Sequence, residues 1–258
     1  VRRPDGMAIL AGINLAAAPG QITGVIGPSG SGKSTLAKVI AGAIIPDLGT
    51  VRIDGAQRSD WDQDLLGKHF GYLPQESSLL EGSIKDNISR FARWSGREGE
   101  DIDAMAVAAA KLAGVHDLVL QLPQGYDTML GPMGSGLSAG QSQRIALARA
   151  FYGDPAVLVL DEPNAFLDAE GEAALVSAMM AARSRGAAII IVAHRRSVLE
   201  TADHLLVLEA GRPTMFGPAR EVVARLQAPK TPQAPSTVPP SPPAPPPSAP
   251  PPQKGNVQ

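Results

Sequence analysis

The sequence predicts an α/β fold whose central sheet is mostly parallel. Three apolar runs of strand length support it, at residues 22–26, 156–160 and 187–193. Runs of this kind, with few polar residues, are typical of parallel strands that are buried on both faces. Helix-forming segments follow at residues 36–41 and 172–182, so strands and helices alternate along the chain, as in α/β proteins.

The other predicted elements are shorter, and turns that contain glycine or proline separate them. Strands are predicted at residues 9–17, 49–53, 70–73, 204–208 and 212–216, and helices at residues 61–66, 83–91, 102–113, 139–150 and 218–226. The last two strands form a hairpin through Ala210 and Gly211, which makes the sheet mixed rather than purely parallel. Residues 9–17 alternate loosely and predict a further antiparallel strand.

Composition divides the chain into one folded domain and a tail. Residues 1–227 carry every predicted element, and about 76–152 lacks a strong strand, which predicts a helical subdomain there. Over residues 228–258 the core pattern stops and prolines dominate, so a disordered polyproline-rich tail is predicted. A solvated tail is the simpler interpretation, although its Pro-x-x-Pro content also fits a ligand for an aromatic groove.

Charge and cysteine content exclude several classes of protein. The 258 residues carry a formal net charge of -2 with a pI of about 6.1, so bulk charge does not indicate nucleic-acid binding. The chain has no cysteine, which excludes a disulfide framework and suits a cytosolic compartment. No apolar run approaches the roughly 20 residues that span a bilayer, so we expect a soluble segment. Its start at Val1 without Met suggests a piece of a longer protein.

A glycine-rich loop follows the first buried strand. Its pattern, G-x-x-x-x-G-K-[ST] over residues 27–35, stands between a strand and a helix, where such loops bind nucleotide phosphates. The alternative is a glycine-rich turn that binds no ligand. Such a turn could have the same glycine spacing, but it would not need a strand before it and a helix after it. The residues expected to contact nucleotide are Gly27, Pro28, Ser29, Gly30, Ser31, Gly32, Lys33, Ser34 and Thr35. Lys33 would reach the β- and γ-phosphates, and the Ser34 hydroxyl would bind Mg²⁺.

Polar side chains follow three other predicted strands. Asp161 and Glu162 come directly after one, His194 after the second and Gln75 shortly after the third. At the carboxyl edge of a parallel sheet, Asp161 would hold Mg²⁺ and Glu162 could act as a general base toward an attacking water. His194 could donate a hydrogen bond to a γ-phosphate, and Gln75 could contact Mg²⁺ or the water. The alternative, that Asp161 and Glu162 only cap the next turn, stays open.

A capped helix is predicted to begin within residues 137–141, whose sequence is LSAGQ. Ser138 is a suitable N-cap, and Ala139 and Gly140 are small enough for a phosphate to approach the backbone. Taken alone, this segment is an ordinary helix start. The polar residues that we interpret as structural or as solvated are His69, His116, His204, Glu98, Glu100, Asp101 and Asp103.

Together, these motifs resemble the nucleotide-binding domain of ATP-binding-cassette (ABC) transporters, from residue 9 to residue 226. The matching segments are Walker A at 27–35, the Q-loop at Gln75, the signature at 137–141, Walker B at 158–162, the D-loop at 165–168 and the switch histidine at His194. The resemblance implies a P-loop NTPase of the ABC type, with a mixed central sheet, an antiparallel β-subdomain and a helical subdomain that carries the signature. It also implies ATP and Mg²⁺ as cofactors.

The same resemblance implies a head-to-tail dimer that holds two ATP molecules between its chains. Each site would combine Walker A of one copy with Ser138, Gly140 and Gln141 of the other. Asp168, in the D-loop, is carried over as a further residue of the nucleotide site. ATP binding would close the dimer and hydrolysis would reopen it, moving membrane helices that this segment does not contain.

A narrower resemblance points to the exporters of type I secretion systems. It rests on residues 71–76 and 82–88, whereas residues 121–128 are similar to exporter domains in general. The subclass that exports metalloproteases and surface-layer proteins is the most similar. It implies a motor at the cytoplasmic face of the inner membrane, with membrane helices in the same polypeptide, a periplasmic adaptor and an outer-membrane channel. The departures from the family pattern are Ala139 for a signature glycine, Pro132 for a glutamate, and the lack of an adenine-stacking aromatic near Arg2 and Arg3.

Other functions stay open at this point. The ATPase of an importer, or of a lipid or peptide exporter, would share the main motifs. A soluble ABC ATPase without a transport role usually carries a coiled-coil insertion or a second cassette, and this sequence has neither. The signature and His194 argue against a P-loop kinase or GTPase. Glu162 and His194 together argue against a nucleotide-binding module without turnover.

Overall fold

The computed structural model describes residues 1–2, 6–76, 78–95, 101–194 and 199–228. Contacts divide the chain into two units, Val1–Leu226 and Gln227–Gln258. The strands and helices belong to the first unit, apart from Gln227 at the end of the last helix. The predicted tail lies outside the described residues apart from Ala228.

A mixed sheet forms the centre of this unit. The strands are β1 (Ile22–Ile26), β2 (Arg52–Ile53), β3 (Ala56–Gln57), β4 (Phe70–Leu73), β5 (Gly82–Ser83), β6 (Met129–Leu130), β7 (Val157–Asp161), β8 (Ala188–Val192), β9 (His204–Glu209) and β10 (Arg212–Pro218). Among the described residues the main sheet has six strands in the order β10-β9-β1-β8-β7-β4. Neighbours are parallel except β10, which pairs antiparallel with β9. The predicted α/β class with a mixed central sheet is confirmed.

Helices cover both faces of the sheet. They are α1 (Lys33–Ala41), α2 (Gln63–His69), α3 (Ile84–Ile88), α4 (Ile102–Leu112), α5 (His116–Leu120), α6 (Ala139–Phe151), α7 (Ala169–Ser184) and α8 (Ala219–Gln227). Within the described ranges, none of the helices combines the length and the apolar character needed to cross a bilayer.

Alternate side chains of the central strands enter two separate cores. On β7, Leu158 and Leu160 belong to one core and Val159 belongs to the other, and β8 alternates in the same way. Residues of α3 to α7 complete the first core, and residues of α1 complete the second. Burial of each leucine or isoleucine side chain stabilises the fold by about 1.5–3 kcal/mol. The sheet therefore holds the residues at its edge in fixed positions.

The region predicted to be helical, about residues 76–152, contains α3, α4, α5 and α6. Ser83 and Ser138 each close a capping box at a helix start, and Asp101 caps α4. Because α6 packs against α3, α4 and β4, it connects this region to the sheet. A short antiparallel pair, β5 with β6, also lies here, although the sequence predicts no strong strand.

The strand predicted for residues 9–17 does not form. Nearby there is an isolated bridge between Arg2 and Ala8, and Gly12 has φ +67°, which interrupts an extended conformation. Leu10 is buried in the second core, so the alternating pattern reflects side-chain burial without a strand partner. Apart from that antiparallel bridge, antiparallel pairing in the described part of the chain comes from β2 with β3, β5 with β6 and β9 with β10.

Candidate active site

The residues that follow four parallel strands lie at one edge of the sheet, and three of them have polar side chains. The carboxyl ends of β1, β4, β7 and β8 meet at this edge, where Gly27, Gln75, Glu162 and His194 follow them. Two side-chain contacts show how close these residues lie. The Ser34 hydroxyl donates to Gln75 Oε1 at 3.2 Å, and His194 Nε2 is 2.8 Å from Glu162 Oε1.

The loop at residues 27–35 requires glycine at two positions. Gly27 has φ +151° and Gly32 has φ +97°, both in the region that favours glycine. A Cβ on Gly27 would collide with the carbonyl oxygen of Leu208, and a Cβ on Gly32 would collide with the side chain of Leu10. The loop is therefore packed against the carboxyl end of β9 and against the N-terminal segment.

Lys33 begins α1 and is held over this loop. The residue is buried, and its Nζ donates to the carbonyls of Gly27 and Pro28, both at 2.9 Å. Gly32 is the N-cap of α1 and has no side chain to accept from the first N–H groups of the helix. A helix start of this kind, with a lysine at its first residue, suits a bound phosphate.

Asp161 ends β7 as a fully buried carboxylate. Neither of its oxygens has a hydrogen-bond partner of good geometry among the described residues. Burial raises the pKa of Asp161, and the nearby Ser34 hydroxyl and the charges of Lys38 and Lys33 oppose this rise. A buried carboxylate in this state is costly unless a cation balances it. Ser34 and Gln75 add two oxygen donors, the ligand type that Mg²⁺ prefers, so the donor set fits this ion.

Tyr72, on the neighbouring strand β4, is a part of the site that sequence analysis does not identify. Burial and the negative charge of Asp161 raise the pKa of Tyr72 to about 12, so the phenol stays neutral. Its hydroxyl is buried and has no hydrogen-bond partner in the described part of the chain. Tyr72 lies opposite Val159, and only the register between the two strands reveals that it is near Asp161.

Glu162 follows Asp161 in a backbone conformation that is uncommon for a residue with a side chain. Its φ is +52°, and its N–H donates to the Val192 carbonyl of β8 at 2.9 Å. The carboxylate meets His194. Burial raises the pKa of Glu162, whereas the charge of His194 lowers it; Asp161 adds to the rise and Lys33 opposes it. A carboxylate with a raised pKa accepts a proton more readily than an exposed one.

The predicted signature begins α6 with a complete capping box. The Gln141 N–H donates to Ser138 Oγ at 3.3 Å, and the Ser138 N–H donates to Gln141 Oε1 at 2.9 Å. Within the described residues, no hydrogen bond or ion pair connects Ser138, Gly140 or Gln141 with the loop at residues 27–35. The fold thus gathers the residues of the sheet edge but does not join the signature to them.

Asp168, expected at the nucleotide site, is engaged inside its own chain. Its carboxylate caps α7 by accepting from the Gly171 N–H at 2.8 Å, and it forms an ion pair with Arg144 of α6. The Gly171 hydrogen bond lowers the pKa of Asp168 most, and Arg144 lowers it further. Sequence analysis misses Arg144, because an arginine inside a helix carries no signal of its own.

The residues interpreted as structural make contacts away from the sheet edge. His116 Nδ1 lies 2.8 Å from the Tyr126 hydroxyl, and the His204 ring stacks on Phe216. Three residues singled out in the sequence lie outside the described ranges: Arg3, Glu98 and Glu100.

Comparisons with known proteins find chains of similar sequence and fold. A family model described as ABC transporter matches residues 10–165. The chain is 52% identical over 223 residues to the type I secretion system ATP-binding protein PrsD of Rhizobium meliloti, covering 86% of this chain and 37% of that protein. It is 43% identical over 232 residues to the cyclolysin secretion/processing ATP-binding protein CyaB of Bordetella pertussis, covering 88% and 32%.

Two further similarities cover a comparable share of the chain. The alpha-hemolysin translocation ATP-binding protein HlyB of Escherichia coli is 40% identical over 222 residues, covering 86% of this chain and 30% of that protein. A solved structure of a bacterial Atm1-family ABC exporter with ATP bound is similar with a TM-score of 0.74 and 37% identity, covering 85% and 37%. The chain thus spans about a third of the length of the curated relatives.

Proposed function

The chain belongs to the ABC transporter family, and we propose that it is the ATP-driven motor of a type I secretion exporter, which moves protein across the inner membrane. ATP binding and hydrolysis follow from the family. The observation that carries the proposal is the sheet edge, where a phosphate-binding loop, the unpartnered Asp161 and the Glu162–His194 pair meet. The secretion and translocation roles named for PrsD, CyaB and HlyB support export.

We assign nucleotide binding to the loop at residues 27–35. Its N–H groups and the start of α1 would surround the phosphates, and Lys33 would exchange its two carbonyl partners for the β- and γ-phosphates. Ser34, Gln75 and Asp161 would hold Mg²⁺ through their oxygens. Bound there, the ion neutralises phosphate charge and thereby lowers the barrier to hydrolysis.

We assign the general-base role to Glu162. Its raised pKa favours taking a proton from a water that attacks the γ-phosphate. His194 Nε2 lies against this carboxylate and supports its orientation, and we assign the same ring a hydrogen bond to the γ-phosphate. Gln75, next to the Ser34 hydroxyl, is assigned a contact with Mg²⁺ or with the attacking water.

We further propose that two copies face each other head to tail. Ser138, Gly140 and Gln141 would serve the nucleotide that the other copy holds at residues 27–35. The capped start of α6 supports this, because within the described residues it has no bond to the loop of its own chain. Asp168 is assigned to the same interface between the two copies.

The remaining partners are also proposals. The relatives are roughly two to three times as long as this chain, which fits membrane helices in the same polypeptide and a motor at the cytoplasmic face of the inner membrane. A periplasmic adaptor and an outer-membrane channel would complete a type I secretion system. We propose no nucleic-acid partner.

The hydrolytic site is tested by Glu162→Gln. The amide keeps the shape of the side chain but cannot accept the proton, so turnover should fall roughly 10²–10⁴-fold while MgATP binding stays nearly unchanged. Glu170→Gln, which alters an exposed carboxylate at the start of α7, is the matched control and should leave turnover intact. Turnover near that of the parent in Glu162→Gln would remove Glu162 from the base role.

A second candidate is the motor of another ABC transporter, such as a lipid or peptide exporter or an importer. Among these alternatives, the similarity to the Atm1-family exporter favours an exporter over an importer. The two candidates are separated by placing Glu162→Gln in the full-length protein in cells and comparing the secreted proteins. Loss of one or a few proteins from the medium supports type I secretion, whereas an unchanged set of secreted proteins supports the second candidate.

A further inference from the structure

One face of α6 is fastened to the turn between β7 and α7. The face consists of Gly140, Gln143 and Arg144, whose spacing of three and four places them on one side of the helix. The turn consists of residues 162–168, which begins with the proposed base. The contacts between face and turn are a close backbone approach, a hydrogen bond and an ion pair.

The first two contacts leave little room between helix and turn. A Cβ on Gly140 would lie 3.1 Å from the carbonyl oxygen of Phe166, which is tighter than ordinary packing. Gln143 is buried, and its Nε2 donates to the Pro163 carbonyl at 3.3 Å. The N-terminal part of α6 is therefore in direct contact with the turn at residues 162–168.

The third contact is the ion pair between Arg144 and Asp168. The Arg144 side chain is 18% exposed and the Asp168 side chain is 66% exposed. The guanidinium is therefore largely shielded from water, whereas water reaches the carboxylate and weakens the attraction between the two charges. The same Asp168 oxygen accepts from the Gly171 N–H and caps α7. A Cβ on Gly171 would lie 3.0 Å from Asp168 Oδ1 and 3.2 Å from Arg144 Nη2. One carboxylate oxygen thus connects α6 with α7.

We propose that Arg144 and Asp168 form a positioning pair that sets the distance between Ser138 and Glu162 within each chain. The proposal rests on the proposed function, in which Ser138 serves the nucleotide of the other copy and Glu162 serves its own. The pair therefore links the two nucleotide sites of a dimer, because moving α6 in one chain displaces a group in each site. Asp168 acts through Arg144 and the cap of α7, not by contacting nucleotide.

Turnover and nucleotide binding by Arg144→Met, Asp168→Asn and the double variant test this role. Asparagine keeps an oxygen that can cap α7 but removes the charge that Arg144 binds. Each single variant should lose at least about tenfold in kcat, with KM and the MgATP affinity of the isolated chain within about twofold. The double variant should be no slower than the slower single variant, because both changes remove one interaction.

Two further variants serve as controls. Arg144→Lys keeps the positive charge without the planar guanidinium and should recover part of the lost kcat. Arg185→Met removes a mostly exposed ion pair with Asp154 and should leave kcat unchanged. Losses that multiply in the double variant, reduced MgATP affinity in Asp168→Asn, or an unchanged kcat in both single variants would overturn the proposal. Turnover of the parent at rising concentration, measured in parallel, tests the two-copy proposal separately.

A distance measurement reports on the pair without any turnover. Since the chain has no cysteine, Ser135→Cys, shortly before α6, and Glu170→Cys, in the first turn of α7, place two spin labels at exposed positions. The labelled chain should give a narrow distance distribution, and adding Arg144→Met or Asp168→Asn should broaden or shift it. The same distribution in all three proteins would show that the pair does not position α6, and the proposal would then be wrong.

Discussion

The carboxylate of Glu162 is subject to opposing effects from its immediate neighbours. Burial disfavours the charged form and raises the pKa of Glu162, and the charge of Asp161 acts in the same direction. His194 and Lys33 favour the charged form. Because burial is the largest effect, the proposed base holds a proton more readily than an exposed glutamate.

Turnover should therefore depend on pH in the acid range. A general base works only when deprotonated, so kcat is lost as the pH falls through the pKa of Glu162. Because that pKa is raised, the acid limb should lie above the pH of about 4.3 at which an ordinary glutamate titrates. A kcat profile between about pH 4.5 and pH 9 checks this, and a flat profile over that range would contradict it.

Asp161→Asn should stabilise the chain in the absence of nucleotide and Mg²⁺. A carboxyl group with a raised pKa in the fold contributes stability below its unfolded pKa and loses that contribution as the pH rises through its folded pKa. At neutral pH the buried carboxylate therefore disfavours folding. The neutral amide should raise the free energy of unfolding by roughly 1–3 kcal/mol.

Unfolding by urea at neutral pH measures this gain. Glu81→Gln, at an exposed position, is the matched control and should leave the free energy of unfolding unchanged. The same Asp161→Asn variant should lose the extra stabilisation that Mg²⁺ gives to the ATP-bound parent. A less stable variant that still responds to Mg²⁺ would remove Asp161 from the metal site.

Among the elements, α6 is held at both ends. Ser138 caps its first turn, and Arg90 meets its last turn. The Arg90 guanidinium donates over 2.7–3.4 Å to five backbone carbonyls, those of Gly67, Phe70, Arg149, Ala150 and Tyr152. A positive charge at the C-terminal end of a helix also complements its dipole. One side chain thus joins α6 to the end of α2 and the start of β4.

Arg90→Met should destabilise the domain by about 3 kcal/mol, because it removes several charge-assisted hydrogen bonds while keeping an aliphatic chain. Arg90→Lys can satisfy fewer of the carbonyls and should fall between the parent and Arg90→Met. Arg185→Met, at a mostly exposed ion pair, should cost less than about 1 kcal/mol. Urea unfolding ranks the three variants, and a loss in Arg90→Met no larger than in the control would show that water replaces the guanidinium.

For the whole molecule, the proposed division of each site between two copies makes turnover depend on protein concentration. Specific activity should rise with the concentration of the chain until dimers saturate. Ser138→Arg should leave MgATP binding by the isolated chain intact and abolish this rise, because it obstructs the surface offered to the other copy. Ser184→Arg, at the exposed end of α7, should keep the rise. A constant specific activity through the monomer range would indicate a site that is complete within one chain.

The sequence pattern within each short segment predicts most strands of the main sheet, because it shows which side chains of that segment are buried. The three long apolar runs form β1, β7 and β8 with nearly the predicted bounds. The strand predicted at residues 9–17 is wrong for the same reason, since alternation reports which side chains are buried and not whether a neighbouring strand is present to pair.

The order of motifs along the chain was enough to bring the phosphate loop, Gln75, Asp161, Glu162 and His194 to one edge. Side chains that follow parallel strands share that edge whatever the intervening segments do. The cap at Ser138 was likewise predictable, because a capping box is made by residues three apart.

Which side chains pair was set by tertiary contacts alone. Glu162 meets His194, Arg144 meets Asp168, and Arg90 reaches carbonyls of the α6 end that lie 59 to 62 residues further along the chain. These pairings depend on strand register and on the direction of each side chain in the packed domain. Neither is encoded in the spacing of residues within a single element, so only the folded chain reveals them.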